Sequence, residues 1–465
     1  MEKLTFREKF IGSKDFYARV FAVALPIMVQ NVITTFVNLL DNIMVGQTGT
    51  EPMSGVAIVN QLLFVVNLGL FGMVAGIGIF TAQYHGKGDE TGERKTFRIK
   101  LLCVTVFITI AILVLLSFGD RLIWLYLHEG ESGLDLNMTF EYAKSYLSVI
   151  VIGLPFFGLS QAYASTLRET GHAKPPMRAG IIAVFLNLVL NYILIYGKLG
   201  FPALGVIGAA IATNISRAAE CLMNMIWAHS HKELAPFTKD MFSRLDIKGE
   251  MLKQVFLTAA PLFANEILWS SSQTVLNQIM SQRGIEVVPS VNISSTAINL
   301  FLTLYMAMGN SLGIIVGHAL GKGDMEEAVD TDRKIIALIS GMTMILAVIT
   351  FISAPAIANI YNTTDQVKHL ATTFIRISAV LMPMDATVTG CYFTMRCGGK
   401  TMLTFLFDCC YAWAITIPIA FALLKLTDLN IIYMYAIIFG SNIIKFVIGV
   451  TLVKKRVWVN NLVGE

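Results

Sequence analysis

The sequence predicts an all-α integral membrane protein of twelve transmembrane helices, in two six-helix lobes related by a pseudo-two-fold axis along the membrane normal. Three observations carry that reading: apolar runs recur along the whole chain, basic residues gather on alternate breaks between them, and one pattern of prolines, glycines and charges occurs twice. Only 14% of the 465 residues are charged and 55% are hydrophobic, against about 25% charged in a soluble domain. Each run reaches the roughly 20 residues that a helix needs to cross about 30 Å of hydrocarbon.

The runs fall near residues 16–44, 55–80, 97–118, 140–163, 177–196, 204–228, 251–282, 289–317, 333–353, 369–393, 402–424 and 430–453. The basic N-terminus (Lys3, Arg7, Lys9, Lys14) precedes a run too long for the apolar core of a signal peptide and without a small-residue cleavage site, so it is expected to stay on the protein. Taking both ends and the even-numbered breaks as one side, that side holds Arg19, Lys87, Arg94, Arg98, Lys100, Arg168, Lys239, Arg244, Lys248, Arg333, Arg396 and Lys454 among many others. The opposite side holds only Arg121, Lys144, Lys198, Arg283, Lys368, Arg376 and Lys425. Lys and Arg mark cytoplasmic loops. Both termini are therefore expected in the cytoplasm, in a bacterial inner membrane, which requires an even number of spans. The six cysteines lie in spans or at cytoplasmic ends and read as neutral packing.

The repeat sets the organisation. Pro26, Gly86, Lys87, Gly88 and Asp89 recur at a fixed offset as Pro261, Gly321, Lys322, Gly323 and Asp324. After a shorter outer loop, Pro155, Thr166, Arg168, Gly171, Asn214 and Arg217 recur as Pro383, Thr394, Arg396, Gly399, Asn442 and Lys445. The expected domains are a lobe over 1–235, a cytoplasmic surface linker over 236–250 and a lobe over 251–465. Six spans per half set both halves the same way up, and a cavity between such lobes can open alternately to each side. Gly317, Gly321 and Lys322 fail as a phosphate loop, being one residue short between the glycines and lacking a Ser or Thr after the lysine, and each Gly-Lys-Gly-Asp copy ends a helix. They read as helix ends, with capping glycines and lysines at the headgroups. No ATPase is expected.

Ionisable side chains inside hydrocarbon cost about 2.5 to 3.5 kcal/mol, so the few intramembrane acids point to function. Asp41 stands late in span 1, with Asn38 and Asn42 nearby. Span 5 presents Asn187 and Asn191 four apart, on one helical face, and span 6 carries Thr213 and Asn214. If these spans meet, Asp41, Asn187, Asn191 and Thr213 form an all-oxygen set with one negative charge, suited to a hard monovalent cation or to a proton on Asp41. The alternative is that the asparagines only join helices by hydrogen bonds.

The second half carries its acids elsewhere, at Glu266, Asp385 and Asp408 in spans 7, 10 and 11. These either form an acidic cluster or pair internally with Lys445 or Arg217, and Glu220, one turn from Arg217, is that arginine's expected partner. The surplus of acids favours cationic or neutral aromatic small molecules over phosphates. Trp269, Trp413, Phe64, Phe157 and the methionines can line an adaptable pocket, although packing is their commoner use. Pro26 and Pro261 each lie inside the first helix of a half, where a missing N–H permits a bend, static or mobile. Because Pro26 and Asp41 share a helix, neutralising Asp41 is expected to alter that bend.

In order and spacing the chain resembles the multidrug and toxic compound extrusion (MATE) family over essentially its whole length. The residues that carry the resemblance are Leu25-Pro26 with Asp41 ahead of Met44-Val45-Gly46, the paired Gly-Lys-Gly-Asp motifs and Arg168-Glu169-Thr170-Gly171. To these are added Gly208-Ala209-Ala210 with Ala212-Thr213, and Pro261 with Asn265-Glu266. The resemblance implies two six-helix lobes and export of organic cations or other toxic compounds against inward sodium or proton flow. It also implies an ion site at Asp41, Asn187, Asn191 and Thr213, with Glu266 and Asp385 as second-lobe acids. Some members of the family have an aspartate where Asn191 stands. The single formal charge left here tilts the expectation toward sodium and leaves protons open.

Three classes remain: a secondary antiporter, a flippase of lipid-linked precursors, and a membrane-embedded enzyme. The flippase should need several free cavity cations for a pyrophosphate, and only Arg217 and Lys445 offer themselves. No Ser/His/Asp, HExxH or paired metal-ligand motif supports an enzyme. The expected partners are a small cationic or aromatic substrate and membrane lipid, with no nucleic acid. No cofactor is expected beyond the coupling Na⁺ or H⁺, and the chain is expected to be a monomer.

Overall fold

The computed structural model describes residues 6–127, 135–241, 249–284 and 286–464. Lys3, Arg244 and Lys248 of the charge pattern lie outside those residues. The described chain is helical from end to end, with α1 (Phe6–Phe10), α2 (Lys14–Gly46), α3 (Thr50–Lys87), α4 (Glu90–Trp124) and α5 (Leu136–Ile150) in the first part. A single 3₁₀ turn, Val151–Gly153, passes α5 into α6 (Leu154–Glu169), so the two make one span; Pro155 falls at the start of α6, where no amide is needed. There follow α7 (Lys174–Tyr196), α8 (Gly205–Ser230), α9 (Gly249–Ser281), α10 (Val287–Lys322), α11 (Met325–Asn359) and α12 (Asp365–Cys397). The eleventh span runs from α13 (Thr401–Phe405) through widened π-helical turns into α14 (Ile417–Leu426), and the twelfth is α15 (Ile431–Gly440) with α16 (Asn442–Lys454). Among the described residues, 10 helices are long and apolar enough to cross a membrane. The other two spans, α8 and α9, are helices of 26 and 33 residues whose charged and amide side chains dilute the apolar run.

The Gly-Lys-Gly-Asp motifs do three jobs at once. Gly88 and Gly323 end their helices in the left-handed region, at φ +76° and +82°, which a residue without Cβ enters freely. Asp89 caps α4 by accepting from the amides of Thr91 and Gly92, and Asp324 caps α11 by accepting from Glu327 N at 2.8 Å. Gly86 and Gly321 let two helices touch: a Cβ on Gly86 would lie 2.1 Å from His318 O, and one on Gly321 1.9 Å from Gln83 O. Gln83 and His318 are themselves repeat-equivalent. Lys87, expected at the headgroups, instead donates to the Val463 carbonyl at 2.5 Å.

Two compact units form. One comprises Met1–Met28, Ala82–Gly88 and Ala260–Glu465, and the other Val29–Thr81 and Asp89–Ala259. The first is built on α10, α11 and α12, whose core includes Leu312, Val316, Ile335 and Phe393, with Trp458 of the C-terminal segment fully buried against it. The second buries Val59, Leu63, Ile108, Ile150, Leu154 and Ala210. The start of the predicted linker is not a surface segment. Phe237 is fully buried, and its ring meets Phe97 at 4.7 Å between centroids.

Candidate functional site

In the second unit, α2, α7 and α8 bring together the residues predicted from the sequence. Asn187 and Asn191 lie one turn apart on α7 and both turn inward, with 7% and 2% of their surface exposed. Gly208 allows α8 to press on the end of α7, since a Cβ there would lie 2.5 Å from Leu194 O. That approach sets Thr213 beside Asn187, whose amide donates to Thr213 Oγ1 at 3.3 Å. Tyr196 fastens α7 to α2 by donating to Met44 O at 2.9 Å.

Asn191 Nδ2 then donates to Asp41 Oδ1 at 2.8 Å and to Asn187 Oδ1 at 3.2 Å. Turning the Asn187 amide over places its nitrogen 3.1 and 2.8 Å from the two Asp41 oxygens. Asn191 Oδ1 is buried with no hydrogen-bond donor, an acceptor that a cation would satisfy. Asn38 and Asn42 are exposed and take no part.

The three candidate acids of the first unit share no partner among the described residues. Lys445 Nζ donates to Asp408 Oδ1 at 2.6 Å, and Asn265 Nδ2 donates to Asp408 Oδ2 at 3.0 Å. Asn442 Nδ2 donates to Asp385 Oδ1 at 3.2 Å, and the Tyr392 hydroxyl to Glu266 Oε1 at 3.4 Å. The internal ion pair therefore accounts for Asp408 alone.

Local chain geometry places these groups. Pro418 has no amide to close the α-helical bond to Ala414, and the turns before it, Leu406–Cys410 and Ala412–Thr416, widen to π geometry. At Ser441 the last span breaks, and α16 restarts with Asn442 and Lys445 three residues apart on one face. Tyr411 on the widened helix donates to Ser441 O at 2.7 Å. Arg217, the repeat-equivalent of Lys445, departs from expectation: no ion pair joins it to Glu220 among the described residues. Its guanidinium lies over the Phe157 ring, 5.0 Å from the centre, with Nη1 buried and unpartnered.

Two buried polar groups escape a reading by sequence. Lys100, counted above as a loop charge, is fully buried and donates to Glu169 Oε2 at 2.6 Å and to Ser165 and Thr166 hydroxyls at 3.0 Å each. Gly78 makes room for that carboxylate, as a Cβ there would lie 2.1 Å from Glu169 Oε1. Asp332, 1% exposed, accepts from the Thr394 hydroxyl at 2.5 Å. Both lie close to the start of a predicted apolar run, where sequence alone cannot separate a solvated charge from one that faces a neighbouring helix.

The MatE family model matches residues 26–193 and 261–422, opening each time on one of the repeat-equivalent prolines. A probable multidrug resistance protein NorM of Thermotoga maritima is 26% identical over 427 residues, covering 88% of this chain and 86% of that protein. The multidrug resistance protein MdtK of Edwardsiella ictaluri is 25% identical over 368 residues, with 78% of each covered. Among solved structures, a MATE protein in a bent conformation superposes with a TM-score of 0.86 at 19% identity, over 95% of this chain and 96% of that one. The outward-facing conformation of a multidrug resistance MATE family transporter gives 0.84 at 20% identity, over 98% and 99%. With its paired halves, its intramembrane acids and a family match across both halves, the chain belongs to the MatE family of membrane transporters.

Proposed function

We propose that the protein is a secondary antiporter of a bacterial inner membrane, both termini cytoplasmic, which exports small organic cations or aromatic drugs as sodium ions or protons enter. The observation that carries this reading is the Asp41 carboxylate beside Asn187 and Asn191, with Thr213 next to Asn187 and the buried, unpartnered Asn191 Oδ1 in the same group. The relatives' names, multidrug resistance proteins, support a small-molecule cargo.

Each residue has a part that follows from its chemistry. Asp41 supplies the one charge; a carboxylate in hydrocarbon is costly until a cation or proton neutralises it. Asn187 is ambident. With its nitrogen toward Asp41 it supports the carboxylate by two hydrogen bonds, and with its oxygen turned inward it joins Asn191 Oδ1 and Thr213 Oγ1 as a hard donor. Binding would thus exchange amide hydrogen bonds for ion contacts on α2, the helix that contains Pro26. Its bend would then follow occupancy, with Pro261 as the counterpart in α9. One charge crossing about 100 mV supplies about 2.3 kcal/mol, and a tenfold ion gradient about 1.4 kcal/mol more.

The test is uptake of a fluorescent organic cation by inside-out vesicles, first under a sodium gradient at fixed pH and then under a pH gradient without sodium. Wild-type uptake is expected to follow one ion and to vanish in Asp41→Asn. Tight vesicles that accumulate nothing under either gradient would reject the antiporter in favour of a flippase of lipid-linked precursors.

A further inference from the structure

Lys445 is held as a bound ligand is held. Its ammonium donates to Asp408 Oδ1 at 2.6 Å and lies over two aromatic rings, 5.3 Å from the centre of Phe407 and 5.8 Å from that of Tyr411. A carboxylate with aromatic faces around one cation is the chemistry by which proteins recognise organic ammonium groups. The surroundings exceed what one lysine uses. Asn265, 1% exposed, donates its amide nitrogen to Asp408 while its Oδ1 is buried with no donor. Neither charge is sealed off, the side chains of Lys445 and Asp408 keeping 13% and 16% of their exposure.

We propose that Asp408, Phe407, Tyr411 and Asn265 form a binding site for an organic ammonium group, and that Lys445 fills it as a tethered internal cation which the substrate must displace. This rests on the reading of the protein as an exporter of organic cations. The site belongs to one half only. At the repeat-equivalent position of Asp408 stands Gly180, and Arg217, equivalent to Lys445, lies over a phenyl ring and forms no ion pair among the described residues.

Displacement has somewhere to lead. An organic cation entering beside Asp408 finds Asn265 Oδ1 as a second oxygen to face its charge. The released Lys445 lies one turn from Asn442 on α16, and Asn442 already bonds Asp385. Passing the lysine from Asp408 to Asp385 exchanges one internal ion pair for another, so substrate binding leaves no buried charge alone. The tethered cation also explains selectivity: an uncharged molecule cannot evict it without leaving Asp408 unpaired.

The first experiment measures binding of dansylcholine, a fluorescent quaternary ammonium, to the purified transporter by anisotropy. Lys445→Met, which removes the competitor and keeps the bulk, is expected to tighten the Kd about tenfold, and Asp408→Asn in the same chain to abolish that gain. A monodisperse Lys445→Met protein with wild-type affinity overturns the proposal. A second measurement needs no variant. The rate of Lys445 acetylation in the wild-type protein, read by mass spectrometry, is expected to change several-fold at saturating dansylcholine as the lysine leaves Asp408. An unchanged rate overturns the proposal, because a purely structural pair is not displaced. Uptake of dansylcholine by wild-type vesicles separates the two failures. Uptake with an unresponsive Lys445 leaves the exporter and removes this site, whereas no uptake under any gradient removes the exporter itself.

Discussion

Two carboxylates of the second unit, Asp41 and Glu169, divide the work between function and stability. Among the described residues Asp41 is supported by neutral amides, so its charge is left for an ion to answer. Asn191→Ala removes both a donor to Asp41 and an acceptor of the ring. It is expected to weaken sodium or proton coupling by at least tenfold, about 1.4 kcal/mol, seen as a shift in the ion concentration for half-maximal uptake, with the thermal melt little changed. Glu169 is answered already, by Lys100. Lys100→Met would remove that carboxylate's buried cation and is expected to cost about 3 to 5 kcal/mol, whereas Lys100→Met with Glu169→Leu should recover most of the loss; melting of the detergent-purified protein reads both. The sequence pointed to Asp41, Asn187, Asn191 and Thr213 because they stand deep inside apolar runs at helical spacing. It missed Lys100 and Asp332, whose runs begin beside them.

Among the helices, the glycines of the repeated motif separate two physical roles that look alike in sequence. Gly88 has open space around its Cβ position but a φ of +76°, so Gly88→Ala is expected to cost about 1 to 2 kcal/mol of backbone strain. Gly86→Ala drives a methyl group into the His318 carbonyl, 2.1 Å away, and must part the two helices; it is expected to lower the yield of folded protein far more, measured by fluorescence size-exclusion chromatography. The widened helix at Leu406–Thr416 was not legible. A proline such as Pro418 can bend, break or widen a helix, and which it does depends on the neighbours that donate to the carbonyl it frees. Here widening brings Asp408 to Lys445 and Asn265.

The whole molecule should show a fixed sidedness. In a cysteine-free background, single cysteines at Lys232 and Lys198 are expected to react with an impermeant maleimide from opposite faces, cytoplasmic at 232 and external at 198; labelling from one face would overturn the orientation. The compact units divide inside helices, α2 after Met28, α3 after Thr81 and α9 after Ala259, where hydropathy has no break to reveal a seam. By itself the sequence determined the membrane class, the spans, the repeat and the family, because the cost of polar groups in hydrocarbon forces those features into local pattern and periodicity. Tertiary structure alone decided which polar groups pair. It gave Lys445 to Asp408, Arg217 to a phenyl ring and Lys100 to Glu169. A partner is chosen by which helix faces meet, and residues far apart in the chain carry no local sign of that choice.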